Sequence, residues 1–361
     1  MTSAMKIKLQ KYKAYFETVM TDYNKPEKKE REYWIDAVRS FACICVITTH
    51  APIPNGSDGS NFIAFFNYYA AGGASILFFM ISGALVLYKP KDLFPFIKKR
   101  VSRIALPMII WSIICLVIGY YLGDISSSKA LFQKILLIPF FPQVGSYWFI
   151  YVIFGIYLIT PILAQWLDKH NKKEVSFYIL LWGITLFLPY LDYFNKNLES
   201  IISVSGGILY YFYGYLGFAL LGYYLRKYEL YFSKRIFATI SILIVFFPWA
   251  LYLTTTIPHD IIQNRMSINL ALIAALYFIL IKHLHLSEKM KSFFYDFAQH
   301  SFGIYLVHLL IMRKIIWAVL SPYNIHYLIQ IPLIVFLTTL LSYLLVHLFA
   351  KLPFSKYIVG L

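Results

Sequence analysis

Repeatedly along this chain of 361 residues, a run of about 20 mostly apolar residues alternates with a short polar, often basic, segment. An apolar helix of that length spans about 30 Å, the thickness of the hydrocarbon core of a bilayer. Runs of this kind lie at about 33–52, 68–88, 104–122, 146–166, 176–192, 207–225, 236–254, 267–283, 301–320 and 329–350. The expected fold is all-α, a polytopic transmembrane helix bundle of about ten helices. Within 123–145 the apolar stretch 131–141 is too short to cross, and it reads as re-entrant or interfacial.

Composition supports the same class. Sixty per cent of the residues are hydrophobic and 14% are charged, against about 25% charged in soluble domains. A net charge of +16 invites a nucleic-acid reading, but the basic residues do not gather on one face or tail. They fall between the apolar runs, and they alternate. With the N-terminus inside, 26 Lys and Arg residues lie in cytoplasmic segments and four (Lys129, Lys134, Lys196 and Arg265) in outer ones. That asymmetry is the positive-inside pattern, and it puts both termini in the cytoplasm.

Three parts follow: a cytoplasmic tail, 1–32; a membrane domain, 33–350; and a cytoplasmic tail, 351–361. The first tail is polar and rich in Lys, unlike a cleavable signal. Its stretch 9–20 reads either as an amphipathic surface helix or as a plain tail. Cys43, Cys45 and Cys115 all lie inside apolar runs, offering neither a disulfide framework nor a spaced metal site.

Ionisable groups inside a span are costly and turn toward the bundle interior, which makes them candidates for function. The first run holds Asp36, Arg39 and His50. Eleven steps of about 100° bring His50 to within about 20° of Arg39, roughly 16 Å further along the axis. Both therefore share one stripe, with a cation toward the inner end and an imidazole toward the outer. Asp36, three residues before Arg39, is placed to pair with it. Arg313 and Lys314, in the outer half of the ninth run, read as snorkelling outward or as meeting an anion.

Arg39, ten intervening residues and His50 resemble the Arg-x10-His signature of the membrane-bound acyltransferase 3 family. Further elements follow in the family's order. They are Phe78-Phe79-Met80-Ile81-Ser82-Gly83, Arg100-Val101-Ser102-Arg103, Tyr147-Trp148-Phe149 with Tyr157 and Pro161, and Ser301-Phe302-Gly303-Ile304-Tyr305-Leu306-Val307-His308. The resemblance runs from about residue 31 to 350. One departure is that many relatives carry a His just before the Trp of the fourth span, where this chain has Ser146-Tyr147.

The resemblance implies transfer of an acyl group, usually acetyl from acetyl-CoA, onto a glycan or lipid-linked sugar. By that analogy His50 is the base, or carries the acyl group covalently, with Arg39 and Asp36 organising the stripe. Arg100 and Arg103 would hold the phosphates of the donor, and Ser82 with Gly83 would either pass a pantetheine arm or simply pack. Tyr147, Trp148 and His308 would stand on the acceptor side. The implied partners are acyl-CoA as co-substrate, the glycan acceptor and membrane lipids, in a bacterial inner membrane. No bound cofactor, metal or nucleic acid is expected, and a homodimer is compatible with the domain. The alternative readings are an exporter for a surface polysaccharide and an assembly component with a degenerate site. Gly-rich phosphate loops and a Gly-x-Ser-x-Gly elbow do not occur in the sequence, which disfavours ATP-driven pumps and serine hydrolases.

Overall fold

The computed structural model describes residues 31–52, 60–89, 92–194, 209–231, 233–255, 257–323 and 325–361. Tyr33–Leu361 is one compact unit, and its described regular structure is helical throughout. Seven helices of the described residues are long and apolar enough to cross a bilayer: Phe66–Val86, Leu93–Tyr121, Gly145–Lys169, Lys172–Leu191, Lys234–Thr254, Glu288–Leu320 and Tyr327–Ala350. This is a multi-pass membrane fold. The expected stretch 9–20 lies outside the described residues.

Helix α1 (Tyr33–His50) has 18 residues, and its polar members lower its hydropathy below that of the seven. It tolerates them by being central. It packs against α2 (Ser60–Gly73), α3 (Ser75–Val86), α11 (Ile268–Lys282), α12 (Glu288–Ile311) and α13 (Tyr327–Ala350). Val38, Ala42, Cys43 and Ile47 are fully enclosed, and only Ile44 reaches the surface strongly. By contrast, α10 (Lys234–Thr254) turns Leu243, Phe246, Phe247 and Leu253 outward, a face that only lipid can solvate.

Two local irregularities shape the inner side. Helices α4 (Leu93–Arg100) and α5 (Leu106–Tyr121) are joined by a π turn, Val101–Ala105. Pro107 has no N–H to give to the carbonyl of Arg103, so the ordinary ladder is interrupted there. In α7 (Trp148–Lys169), Pro161 likewise leaves the carbonyl of Tyr157 without its helical donor. At the helix entries, Ser233, Ser267 and Ser287 each accept a backbone N–H of the first turn, and Asn171 with Glu174 forms a capping box for α8 (Lys172–Thr185).

Helix α9 (Leu216–Lys227) packs tightly against α3. A Cβ on Gly83 would run into the carbonyl of Ala219, and one on Gly222 into the carbonyl of Met80. Gly83 is therefore a contact glycine in the manner of small-residue membrane interfaces, rather than a gap for a ligand. The short α6 (Ser128–Leu137) is ten residues long and exposed on most sides, too short to cross. The segment expected as a C-terminal tail folds back. Trp111 Nε1 donates to Ile358 O at 2.8 Å, Val359 is fully buried, and Gly360, at φ +78°, approaches Arg103 O and the Phe302 ring.

Because backbone carbonyls cannot move aside as side-chain tips can, Gly222→Val should lower the thermal midpoint of the detergent-solubilised protein. About 1–3 kcal/mol is expected from overpacking. Gly155→Val, which meets open space, should leave it unchanged. Equal midpoints for the two variants would show that the α3–α9 contact is not close.

Candidate active site

Two spaces lie one above the other inside the bundle, along the stripe of α1. The inner one has a volume of about 240 Å³ and is lined by Arg39, Ser82, Arg100, Arg103, Tyr157 and Tyr305, with apolar side chains and the Gly360-Leu361 segment completing the wall. Three guanidinium groups from three elements thus meet in one cavity, and among the described residues no Asp or Glu side chain lines it. Arg100 is held flat, with its guanidinium carbon 4.6 Å from the centroid of the Tyr157 ring and 5.0 Å from that of Phe96. Its Nε is buried with no hydrogen-bond partner among the described residues. The Tyr157 hydroxyl lies 3.2 Å from Ser82 Oγ, so Tyr157 serves both the arginine and the serine. Cations gathered in a half-buried cavity suit a polyanionic ligand, and the planar guanidinium matches phosphate.

The outer space is a cleft of about 30 Å³ lined by Thr49, His50, Ser75, Ser146, Trp148 and Arg265, among others. Its chemistry is set by two imidazoles. His308 Nδ1 is 2.6 Å from Tyr305 O, and a carbonyl can only accept, so Nδ1 carries the proton and Nε2 keeps its lone pair. That Nε2 lies 3.4 Å from His50 Nδ1, which is also 2.8 Å from Val46 O. Both neighbours of His50 Nδ1 are acceptors, so Nδ1 is the N–H and Nε2 is left able to take a proton. His308, fully buried, stands behind His50 and orients it. Ser146 Oγ is buried without a hydrogen-bond partner among the described residues, and Arg265 lies over the Trp148 ring at 5.2 Å.

A family profile described as an acyltransferase domain matches residues 32–347. The chain belongs to the acyltransferase 3 family. No curated protein and no solved structure matches it. As a multi-pass membrane acyltransferase it has, in these two spaces, a cation-lined cavity suited to an anionic donor and a histidine able to activate a nucleophile.

The fold brings most of the residues expected from the sequence to these spaces. Arg39, Ser82, Arg100 and Arg103 share the inner cavity, and His50 and Trp148 share the outer cleft. Asp36 is buried one turn inward of Arg39 and lines neither space. Tyr147 does not face the cleft either. It is buried, and its hydroxyl donates to Leu306 O at 2.5 Å, while its neighbour Ser146 supplies the polar group. His308 touches His50 rather than the cleft itself. Lys314 pairs with Asp124 at 2.7 Å, both side chains being partly exposed.

Sequence reasoning passed over Ser146, Arg265 and the paired use of Tyr157 and Tyr305. Arg265 did carry a signal, as a basic residue on a side almost emptied of them. The tyrosines carried none beyond their place in quoted elements, since an uncharged aromatic residue in a span is ordinary.

Tyr157→Leu removes the platform under Arg100 and should raise the apparent KM for the acyl donor about tenfold, with kcat little changed. Steady-state kinetics at varied donor concentration decide this, and a change confined to kcat would contradict it. His308→Ala should lower kcat about a hundredfold at constant donor KM, because the His50 imidazole loses its orientation. His308→Gln, which keeps an acceptor toward His50, should recover part of the loss.

Proposed function

We propose that this protein is an O-acyltransferase that crosses a bacterial inner membrane ten times, with both termini cytoplasmic. It moves an acyl group, in the first place acetyl, from cytoplasmic acyl-CoA to a hydroxyl of an extracytoplasmic or lipid-linked glycan. The observation that carries this reading is the stacking of an arginine-lined inner cavity beneath a histidine-lined outer cleft within one bundle. A donor that is polyanionic and cytoplasmic fits the first, and a neutral nucleophile needing a base fits the second.

In this mechanism Arg39, Arg100 and Arg103 bind the phosphates of coenzyme A, and Ser82 with Tyr157 borders the pantetheine arm. The acceptor hydroxyl meets His50, whose Nε2 takes its proton as the oxygen attacks the thioester carbonyl. The tetrahedral intermediate collapses to the ester and expels the coenzyme A thiolate, which recovers the proton from the imidazolium. His308 steadies the charged His50 meanwhile, through a lone pair aimed at its Nδ1–H. Ser146 and Trp148 border the acceptor, and Ser146 Oγ, buried and without a hydrogen-bond partner among the described residues, is free to bond it.

The export reading needs a polar passage wide enough for a glycan. An aromatic wall between the two spaces speaks for a site in which only a small group crosses.

His50→Ala should lower transfer by about 10²–10⁴-fold. The measurement is the acyl-ester content of the host's surface glycans in wild type, a deletion strain, and a strain holding His50→Ala at matched membrane level. Ester loss in both altered strains is expected. Full ester content with His50→Ala would remove His50 from the chemistry.

A further inference from the structure

The inner cavity and the outer cleft are separate spaces, yet two residues line both: Phe149 at the start of α7 and Tyr305 in α12. Their rings meet edge to face with centroids 5.7 Å apart, and Phe79 backs Phe149 at 4.7 Å. Both are buried. An acyl group travelling from the arginines to His50 has to pass where these two rings now touch.

The wall is held by a reciprocal pair of hydrogen bonds. The Tyr305 hydroxyl donates to Ser146 O, and the Tyr147 hydroxyl donates to Leu306 O. Adjacent residues on each side thus exchange a donor and an acceptor, clasping the 3-10 turn Gly145–Tyr147 to the middle of α12. Side-chain bonds of this kind can break without unravelling either helix, whereas a wall of backbone could not open. The same segment also bears on the base. The carbonyl of Tyr305 takes the Nδ1–H of His308, and His308 in turn touches His50. The outer cleft, at about 30 Å³, has room for about one or two waters, hence for a methyl or a hydroxyl and little more.

We infer that Phe149 and Tyr305 form a latched septum that admits short acyl groups to His50 and keeps outer water from the thioester. This rests on the acyl-transfer reading and goes beyond it. Phe149 sets the acyl length through the bulk of its ring. Tyr305 sets the seal through its bond to Ser146 O. If the seal loosens, water replaces the sugar as nucleophile, and acyl-CoA plus water gives the free acid and the coenzyme A thiol.

The test uses the purified full-length protein in liposomes with acetyl-, butyryl- and hexanoyl-CoA, and deacylated surface glycan from the deletion strain as acceptor probe. Free thiol release without glycan reports hydrolysis, and ester formation with glycan reports transfer. Phe149→Ala should raise the butyryl-to-acetyl transfer ratio about tenfold. Tyr305→Phe, which keeps the ring and loses the latch, should raise acceptor-free hydrolysis of acetyl-CoA severalfold while transfer falls by less. Phe149→Leu, close to the native volume, carries the length test at a smaller shift if the Ala variant does not accumulate in the membrane. Wild-type transfer with unchanged chain-length ratio and unchanged hydrolysis in the variants overturns the septum and leaves acyl transfer standing. A uniform loss of both activities in well-folded variants also overturns it, by making these residues merely structural. Absence of any transfer by the wild type sinks the septum together with the reading beneath it.

Discussion

A guanidinium in hydrocarbon has to face protein or water, and α1 carries one, together with a carboxyl group and an imidazole, in a helix the length of the bilayer core. That constraint sets α1 inside the bundle. Five others surround it, and their small or apolar side chains close over Val38, Ala42 and Cys43. The outer helices can then be featureless on the lipid side, as α10 is. Both spaces are reached from α1: Arg39 opens on the inner cavity, His50 on the outer cleft, and the turns of helix between them fix how far apart the two lie.

The neighbouring helices repeat this division along their own lengths. In α3, Ser75 borders the cleft and Ser82 the cavity, two turns deeper. In α7, Trp148 borders the cleft and Tyr157 the cavity. In α12, His308 backs the cleft while Ser301 lines the cavity. Each helix therefore presents different chemistry at two depths, polar and basic below, imidazole and hydroxyl above, with aromatic rings between. A bundle of rigid helices suits this arrangement, because a group set at a given residue keeps its depth when neighbours shift by a rotamer.

Much of the architecture was legible because hydrocarbon imposes its demands locally. Length and apolarity marked the long apolar helices. Within the site, Arg39 and His50 were legible because both lie on one helix, where 3.6 residues per turn converts spacing into direction. Arg100 and Arg103 stood out through a motif resemblance. Tyr147 lies in the 3-10 turn Gly145–Tyr147, in which Ser146 lines the cleft while the Tyr147 hydroxyl turns to Leu306 O. Such a turn leaves no periodic trace in a run of aromatic residues. The return of Ser355–Leu361 against Arg103 was equally illegible, since nothing in a short mixed segment says which cavity it meets.

By itself the sequence determined the solvent of this protein, its helical class and the stripe shared by Arg39 and His50, because each follows from neighbours in the chain. Only the tertiary structure decided that His308 stands behind His50, that Tyr157 carries Arg100, and that Phe149 and Tyr305 divide the two spaces. Those are contacts between helices far apart in sequence. Apolar helices in lipid have little hydrophobic reason to prefer one partner over another, so their neighbours are chosen by shape and by a few polar contacts. The glycines at the α3–α9 crossing and the paired tyrosine hydroxyls make that choice, and it can be read only once the helices are in place.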